Sequence, residues 1–211
     1  MARILITSGP TRQHLDPVRY LTNGSSGRMG KALAEAALAQ GHEVVVVSGP
    51  VLVEYPSAAR VVPIVSTEEL LEVCRAEFAD CDGVIGAAAP CDYRPVKVET
   101  HKIAKTGEPL VLHLIETPDV MATLGAEKRP GQWLVGFALE TDDQRFRALT
   151  KLEKKSCDLI VLNGPTAMDA LENSVEVLNK QGQVLRQING SKEHVAAGIL
   201  EVIATGLIDI R

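Results

Sequence analysis

Short runs of β-branched and aliphatic residues alternate with helical patterns along this 211-residue chain. Their valines, leucines and isoleucines stand in continuous stretches, without the alternation of apolar and polar residues that marks a half-exposed strand. Such runs are typical of parallel strands that helices cover on both faces. The main runs are RILITS, HEVVVVSG, GVIGAAA, WLVGFALE and DLIVLN. The sequence therefore predicts an α/β fold, a doubly wound, Rossmann-like and mostly parallel sheet with helices on both faces.

Helical patterns occur at four places, three of them between these runs and one after the last. The first covers about residues 28–40, and Gly41 is its stop signal. The second begins after Thr67, whose side chain is a candidate cap because acidic residues follow it in the first turn. The remaining two are expected over about 142–155 and 192–204.

Two segments break the alternation of strands and helices. The first covers residues 101–119, and the second, from Val175 to Ile188, forms two strand patterns around Gln181 and Gly182. We predict both as small β excursions beyond the main sheet.

Length and composition fit a single domain over residues 1–211, since 45% hydrophobic residues can bury a full core. The formal net charge of −5 predicts no basic surface for nucleic acid, which favours a small-molecule partner. The four cysteines form no CxxC pair and are interpreted as reduced thiols. No signal peptide or apolar stretch of roughly 18 residues is seen. We therefore expect a cytoplasmic protein with no membrane partner.

The connection between the first strand and the first helix, from Gly9 to Lys31, is the segment most indicative of function. It reads GPTRQHLDPVRYLTNGSSGRMGK, whereas such connections usually have about two to six residues. Near its end, Ser25, Ser26 and Gly27 stand at the start of a helix, where hydroxyl and amide groups can bind a phosphate. The loop therefore predicts a ligand site.

Two common nucleotide-binding motifs do not fit this loop. GxGxxG is absent after the first strand, and the second strand ends at Gly49 without the acidic residue that usually binds the ribose of NAD. From Gly24 to Lys31 the spacing exceeds that of a P-loop by one residue, and Ala32 replaces the magnesium-binding Ser or Thr. Polar residues that follow four strands are instead expected to meet in one cleft.

Eight motifs, in order, resemble the phosphopantothenoylcysteine synthetase family. They are TSGPTR, LDPVRYLTN, SSGRMG, AAAPCDYRP, HKIAK, TPDV, VGFALET and KLEKKSCDLIVLN. The resemblance implies an enzyme of coenzyme A biosynthesis that joins 4'-phosphopantothenate to L-cysteine. It implies activation of the carboxylate by CTP to an acyl-cytidylate, with Mg²⁺, and then transfer to the cysteine amine.

The same resemblance implies a homodimer and a functional link to a phosphopantothenoylcysteine decarboxylase. That decarboxylase is a flavin-dependent domain fused to the ligase in many bacteria, and no flavin is expected in this chain. Eukaryotic members use ATP, so an ATP-dependent version of the same ligase is one alternative. A binding module that binds nucleotide without turnover, or only with a partner domain, is the other.

The resemblance also implies roles for single residues. Lys151 takes the place of the triphosphate-binding lysine, and Asn23 that of the asparagine assigned to the acyl intermediate, so both are candidate catalytic residues. Nucleotide contacts are implied for Gly9, Thr11, Ser25, Ser26, Gly27, Phe137, Ala138, Leu139, Asp142, Lys151 and Asn163. Substrate contacts are implied for Asp16, Asn23, Asp92, Arg94, Lys102 and Lys105.

Several of these residues have structural alternatives that the sequence leaves open. Asn23 precedes a glycine and can be a turn residue, and Asp16 precedes a proline and can close an Asx-turn. Lys102 and Lys105 can belong to an exposed basic hairpin. His14 and His113 are isolated, so the sequence assigns no metal ligand.

Three features depart from the family pattern. Pro10 stands where a glycine is usual and restricts the first loop. The segment after Asn163 is short and lacks the usual phenylalanine of the base-binding loop, and the lysine motif HKIAK lacks adjacent terminal lysines. Base selectivity and the phosphate contact of Lys105 are therefore the assignments that the motifs support least.

Overall fold

A computed structural model describes residues 1–139, 143–163 and 172–209, and twelve strands and five helices lie in these ranges. The strands are β1 (Arg3–Ser8), β2 (Arg12–His14), β3 (Tyr20–Thr22), β4 (Glu43–Ser48), β5 (Arg60–Pro63), β6 (Gly83–Gly86), β7 (Tyr93–Pro95), β8 (Leu114–Glu116), β9 (Trp133–Leu139), β10 (Leu159–Asn163), β11 (Glu172–Asn179) and β12 (Val184–Ser191). The helices are α1 (Arg28–Ala39), α2 (Thr67–Phe78), α3 (Val120–Glu127), α4 (Gln144–Lys154) and α5 (Lys192–Ile203), which continues into a π-helical turn at Ala204–Ile208.

Eight of these strands form the central sheet, in the order β5-β4-β1-β6-β9-β10-β11-β12. The first six are parallel, and the chain crosses from one side of β1 to the other between β5 and β6. β11 and β12 extend the sheet in antiparallel pairing. The predicted doubly wound, mostly parallel sheet is thus confirmed, and its switch point lies between the carboxyl ends of β1 and β6.

Helices cover both faces of the sheet. Helices α1 and α5 bury residues such as Leu33 and Ile199 against one face, while α2, α3 and α4 bury Leu70, Leu124 and Leu152 against the other. Continuous apolar strands such as β4 are therefore buried on both sides, which explains their valine runs. None of the described helices is both long and apolar enough to cross a membrane.

The four predicted helices are present with boundaries close to the sequence patterns except at the start of α2, whereas α3 (Val120–Glu127) was not predicted. Gly41 follows α1 with a φ of 80°, a left-handed conformation that suits the predicted glycine stop. The N-cap of α2 is Ser66, whose side chain accepts from the Glu69 amide in a capping box. The prediction of Thr67 as the cap was wrong, because Thr67 is the first helical residue and its side chain is fully buried.

Only one of the two predicted excursions lies outside the main sheet. Segment 101–119 does so, because β8 pairs with β7 in a separate two-stranded sheet. The hairpin formed by β11 and β12 is instead part of the central sheet, where β11 pairs with β10. Val175, Val177 and Ile188 are buried beside α5, and this burial holds the hairpin in the sheet.

A small hairpin of β2 and β3 lies within the long first loop. Asp16 closes its turn, since Oδ1 accepts from the amides of Val18 and Arg19, both at 2.8 Å. The Asx-turn that the sequence left open is therefore present. The hairpin gives the loop a folded form of its own and places Asn23 just after β3.

Candidate functional site

A cleft of about 450 Å³ opens beside the carboxyl ends of β6 and β9, between α3 and α4. This is where doubly wound folds bind their ligands. Its floor includes Gly86 and Gly136, which pair with each other in adjacent strands. Because neither residue has a side chain, the floor leaves space in the cleft for a ligand. Its walls come from residues 90–93, residues 116–121 and the last turn of α4.

One backbone edge of β9 is available at this cleft. The ladder between β6 and β9 ends at the Gly86–Gly136 pair, whereas β9 continues to Leu139 and pairs there with β10. On the β6 side, the peptide groups of residues 137–139 therefore lie beyond the ladder. This arrangement fits the predicted backbone contacts of Phe137, Ala138 and Leu139, of which Phe137 lines the cleft.

Three lysines of the last part of α4 supply positive charge to the cleft. They are Lys151, Lys154 and Lys155. Lys155 pairs with Asp119 at 3.1 Å, and Asp119 Oδ1 also caps α3 by accepting from the Ala122 amide. Lys155 thereby links the end of α4 to the start of α3, while Lys151 and Lys154 add charge suited to phosphate groups.

Acidic side chains also line this cleft. They are Asp92, Glu116 and Asp119. Within the described ranges, no three acidic, histidine or cysteine side chains come together as a metal-binding group. Asp119 pairs with Lys155, whereas separate carboxylates such as Asp92 and Glu116 suit a divalent cation that arrives with phosphate ligands of its own.

Asn23 reaches the cleft through its contacts with residues 89 and 90. Its amide nitrogen donates to the carbonyl oxygens of Ala89 at 3.2 Å and of Pro90 at 2.8 Å. Pro90 itself lines the cleft. The structure therefore brings the loop of one predicted catalytic residue to the cleft that the other, Lys151, lines.

The start of α1 is covered by a neighbouring loop. A Cβ on Gly9 would lie 2.7 Å from Val51 Cγ1, and one on Gly27 would lie 2.8 Å from the same atom. Ser8 Oγ donates to the Gly27 carbonyl and accepts from the Tyr55 hydroxyl at 2.8 Å, which fixes this loop. Gly9 and Gly27 are thus buried beneath Val51, and their predicted nucleotide contacts stay predictions.

Asp16 lies away from the cleft and anchors another predicted substrate segment. Burial opposes its ionisation, but amide donors from Ile103, Val18 and Arg19, together with the Arg19 charge, hold its pKa well below the usual range. Its Oδ2 accepts from the Ile103 amide at 3.1 Å. Asp16 therefore fixes the backbone next to Lys102.

Lys102 lines a second cavity of about 830 Å³, which the segment around β7 and β8 forms. Both Lys102 and Lys105 are exposed. This cavity has a largely apolar wall that includes Val96 and Val111. The structure does not bring Lys102 together with Lys151 in one cavity of this chain.

The remaining predicted residues have different surroundings. Arg94 pairs with Glu68 of α2 at 2.9 Å, and Thr11 is fully buried. Asn163 ends β10, and among the described residues nothing donates to its buried Oδ1. Ser25 is half-buried and Ser26 exposed beside the first loop. Asp142 lies outside the described residues.

Sequence reasoning missed three polar residues around this site. Thr67 and Thr117 both donate to the Cys91 carbonyl, at 3.1 and 2.6 Å, and Tyr55 fixes the first loop. Each comes from a segment distant along the chain, so no local pattern could reveal the contact. Only Thr67 gave a signal in the sequence, because it is a polar residue at a position that helical periodicity predicts as buried.

The doubly wound sheet and the polar cleft at its strand ends define a Rossmann-like α/β fold with a candidate ligand site at the usual place. The chain belongs to the family described as "DNA/pantothenate metabolism flavoprotein C-terminal domain", which matches residues 1–207. This match confirms the resemblance that the sequence motifs indicated.

Individual relatives agree with this assignment. The chain is 40% identical over 206 residues to the "Coenzyme A biosynthesis bifunctional protein CoaBC" of Bacillus subtilis (strain 168), covering 95% of this chain and 50% of the relative. It is 41% identical over 209 residues to a "Cysteine/Cysteine sulfinic acid decarboxylase" from an unknown prokaryotic organism, covering 96% of this chain and 58% of the relative. The chain thus spans about half the length of the curated relatives it matches.

A solved structure of similar extent shows the same fold. The crystal structure of the C-terminal domain of a coenzyme A biosynthesis bifunctional protein CoaBC has 39% sequence identity and a TM-score of 0.82. The match covers 99% of this chain and 96% of the other.

Proposed function

We propose that this chain is a phosphopantothenate–cysteine ligase of coenzyme A biosynthesis. The observation that carries the proposal is a cleft that one candidate catalytic residue lines and whose wall the other contacts. Lys151 lines the cleft, and Asn23 is hydrogen-bonded to Pro90, which also lines it. Family membership and the CoaBC relatives support the same reaction class.

In the first half-reaction, the carboxylate of 4'-phosphopantothenate attacks the α-phosphorus of CTP, and the bond to the leaving pyrophosphate breaks. Negative charge accumulates on the phosphate oxygens, which Lys151 stabilises from the end of α4. Mg²⁺ bound to the nucleotide would neutralise further phosphate charge. Asp92, Glu116 and Asp119 are the cleft carboxylates able to hold such an ion.

In the second half-reaction, the cysteine amine attacks the acyl carbon, the C–N bond forms, and CMP leaves with the electrons of the broken C–O bond. The amide of Asn23 stabilises the developing oxyanion. Both of its N–H groups are donated to carbonyl oxygens in the structure, at 2.8 and 3.2 Å. We propose that the longer bond, to Ala89, is exchanged for the acyl oxygen.

We also propose that the ligase works as a homodimer in the cytoplasm. The segment around β7 and β8 exposes a cluster of large apolar side chains: Val96, Val98, Leu110, Val111, Leu112, Leu114 and Ile115. Exposed apolar patches of this kind mark interaction surfaces. A partner's cleft would then receive Lys102 and Lys105 for the substrate phosphate. The four free cysteines suit a reducing compartment.

Two alternatives make different predictions. An ATP-dependent version of the same ligase supports the same reaction with ATP in place of CTP. A nucleotide-binding module without turnover binds nucleotide but forms no product alone.

A phosphopantothenoylcysteine decarboxylase, fused or separate, is the activity that would consume the product.

Product formation tests the proposal. Purified protein is incubated with Mg²⁺, CTP, 4'-phosphopantothenate and isotope-labelled L-cysteine, and the mixture is analysed by mass spectrometry. We expect a labelled product with the mass of both substrates minus water, and none when nucleotide is omitted. Labelled product with ATP but not with CTP would support the first alternative. Absence of product with either nucleotide, despite nucleotide binding, would contradict the ligase.

A further inference from the structure

A closed ring of three hydrogen bonds lies beneath the cleft wall at residue 91. The amide of Cys91 donates to Thr11 Oγ1 at 2.7 Å, the hydroxyls of Thr11 and Thr67 are 2.9 Å apart, and Thr67 Oγ1 donates to the Cys91 carbonyl at 3.1 Å. We call these three residues the Cys91 ring. It joins the first loop and the start of α2 to the segment that follows β6.

The direction of every bond in the Cys91 ring is fixed. The Cys91 amide can only donate, so Thr11 Oγ1 accepts from it, and the Cys91 carbonyl can only accept, so it takes the single hydroxyl proton of Thr67. The proton between the two hydroxyls must therefore come from Thr11. Each hydroxyl then donates once and accepts once within the ring. Both threonine side chains are fully buried, where an unsatisfied hydroxyl is costly. The ring therefore has one arrangement of protons. It holds the Cys91 amide and, together with Thr117 Oγ1, which donates at 2.6 Å, the Cys91 carbonyl.

The backbone that the ring holds also carries the contacts of the site. The carbonyls of Ala89 and Pro90, directly before Cys91, accept both amide hydrogens of Asn23. Asp92, directly after Cys91, lines the cleft. A shift of the Cys91 peptide would displace both of these neighbours.

We propose that Thr67 is a positioning residue for the Asn23 amide. Its hydroxyl donates to the Cys91 carbonyl and acts through the Cys91 backbone. This proposal rests on the proposed ligase function, in which Asn23 acts in the transfer to cysteine. It goes beyond that function because it assigns the buried Thr67 hydroxyl, at the start of α2, a positioning role in the second half-reaction.

Two substitutions of Thr67 separate positioning from packing. Thr67→Val keeps the side-chain shape but removes the hydroxyl, whereas Thr67→Ser keeps the hydroxyl and removes a methyl group. We expect Thr67→Val to lower kcat for product formation roughly 10- to 100-fold, because a misplacement of about 1 Å has effects of that size. In Thr67→Val, the KM values and the pyrophosphate release in the absence of cysteine should change less than about threefold. Thr67→Ser should have a kcat close to that of the parent protein.

Ser66→Ala is the matched control at the same helix end. It removes the cap and the capping box of α2 but leaves the Cys91 ring intact. If loosening of α2 alone explained the effect, Ser66→Ala would lower kcat as much as Thr67→Val does. That result, or a kcat for Thr67→Val equal to that of the parent protein, would overturn the proposal.

Thiol accessibility gives a second readout that needs no enzymatic activity. Cys91 is buried, and its Sγ lies 3.5 Å from the carbonyl oxygens of Thr11 and Leu21. With iodoacetamide and peptide-resolved mass spectrometry, Thr67→Val should increase alkylation of Cys91 at least about tenfold. Buried Cys74 should stay protected and reports that the fold is intact.

The two readouts distinguish the two ways of failing. A parent protein that forms no product contradicts the ligase, yet selective exposure of Cys91 in Thr67→Val would still show that Thr67 holds this backbone. Unchanged alkylation of Cys91 in Thr67→Val would contradict the role of Thr67 even in an active ligase.

Discussion

Asp16 is a carboxylate with four donors and almost no solvent contact. Its oxygens accept from the amides of Val18, Arg19 and Ile103 and from the Arg19 side chain. Although burial alone would raise its pKa, these amides and the Arg19 charge lower it overall. Asp16 is therefore a structural link between the first loop and segment 101–119, and its predicted substrate contact stays a prediction.

The lowered pKa of Asp16 has a testable consequence for stability. A carboxyl with a lower pKa in the folded state stabilises fully above its ordinary pKa of 3.8, and this contribution is lost as the pH falls below that value. We expect the unfolding free energy of Asp16→Asn to be lower than that of the parent protein by a constant amount between pH 7 and 5. This difference should become smaller below pH 4. Urea denaturation at each pH measures it.

Asp80→Asn is the control for that titration, because Asp80 is an exposed acidic residue. Its unfolding free energy should stay close to that of the parent throughout. A destabilisation by Asp16→Asn that is as large at pH 3.5 as at pH 7 would contradict the charged state assigned to Asp16.

Lys151 is the residue on which activation depends in the proposed reaction. Lys151→Gln removes positive charge from the end of the cleft that α4 lines while keeping a similar length. We expect pyrophosphate release to fall on the order of 100-fold or more, as for other groups that stabilise transition-state charge. A coupled assay for pyrophosphate measures this change.

Lys180→Gln is the charge-matched control. Lys180 follows β11, whose last residue pairs with the first residue of β10, so it lies at the opposite end of the sheet from the cleft. It pairs with Asp158 there. Pyrophosphate release should match that of the parent, and an equal loss in both variants would remove the specific role of Lys151.

At the level of elements, the cleft depends on how closely α3 approaches the end of α4. A Cβ on Gly125 would lie 2.0 Å from the Lys155 carbonyl oxygen. Because that atom belongs to the backbone, Gly125→Ala must push α3 and α4 apart. We expect a loss of at least about 2 kcal/mol in unfolding free energy, measured by chemical denaturation, together with weaker nucleotide binding.

Gly206→Ala provides the comparison for that substitution. A Cβ on Gly206, in the π-helical turn after α5, would meet no atom within 4 Å. This change should leave stability unchanged or slightly higher, since glycine is the more flexible residue in the unfolded chain. Equal stability of both variants would show that α3 can move without cost.

The elements differ in how far the sequence could predict them. Valine runs in β4 and the glycine after α1 are local signals, and they located the parallel strands and helix ends correctly. The pairing of β11 with β10 was missed, since burial of Val175 and Val177 depends on α5 and not on neighbouring residues. The same limit applies to the site: family motifs indicated Lys151 and Asn23, but Val51 over Gly9 is a tertiary contact.

At the scale of the whole molecule, the exposed apolar segment around β7 and β8 predicts self-association. We expect sedimentation equilibrium to give about twice the chain mass of 22.6 kDa. Val111, which is 73% exposed, lies within this segment. Val111→Glu should favour the monomer, because a charge on an apolar interface is costly to bury.

Leu52→Glu is the control, because Leu52 is fully exposed in the loop after β4. It should associate as the parent does. A parent protein that sediments as a monomer at micromolar concentration would contradict the proposed dimer and leave the segment for a different partner.

In the proposed reaction, this cleft activates 4'-phosphopantothenate with a nucleotide for transfer to cysteine. The decisive measurement is pyrophosphate release with Mg²⁺ and either CTP or ATP, before and after L-cysteine is added. We expect release with CTP that requires 4'-phosphopantothenate, stays near one equivalent per active site without cysteine, and becomes catalytic with it. If the protein binds nucleotide but releases no pyrophosphate with either CTP or ATP, this result would contradict the proposed activation.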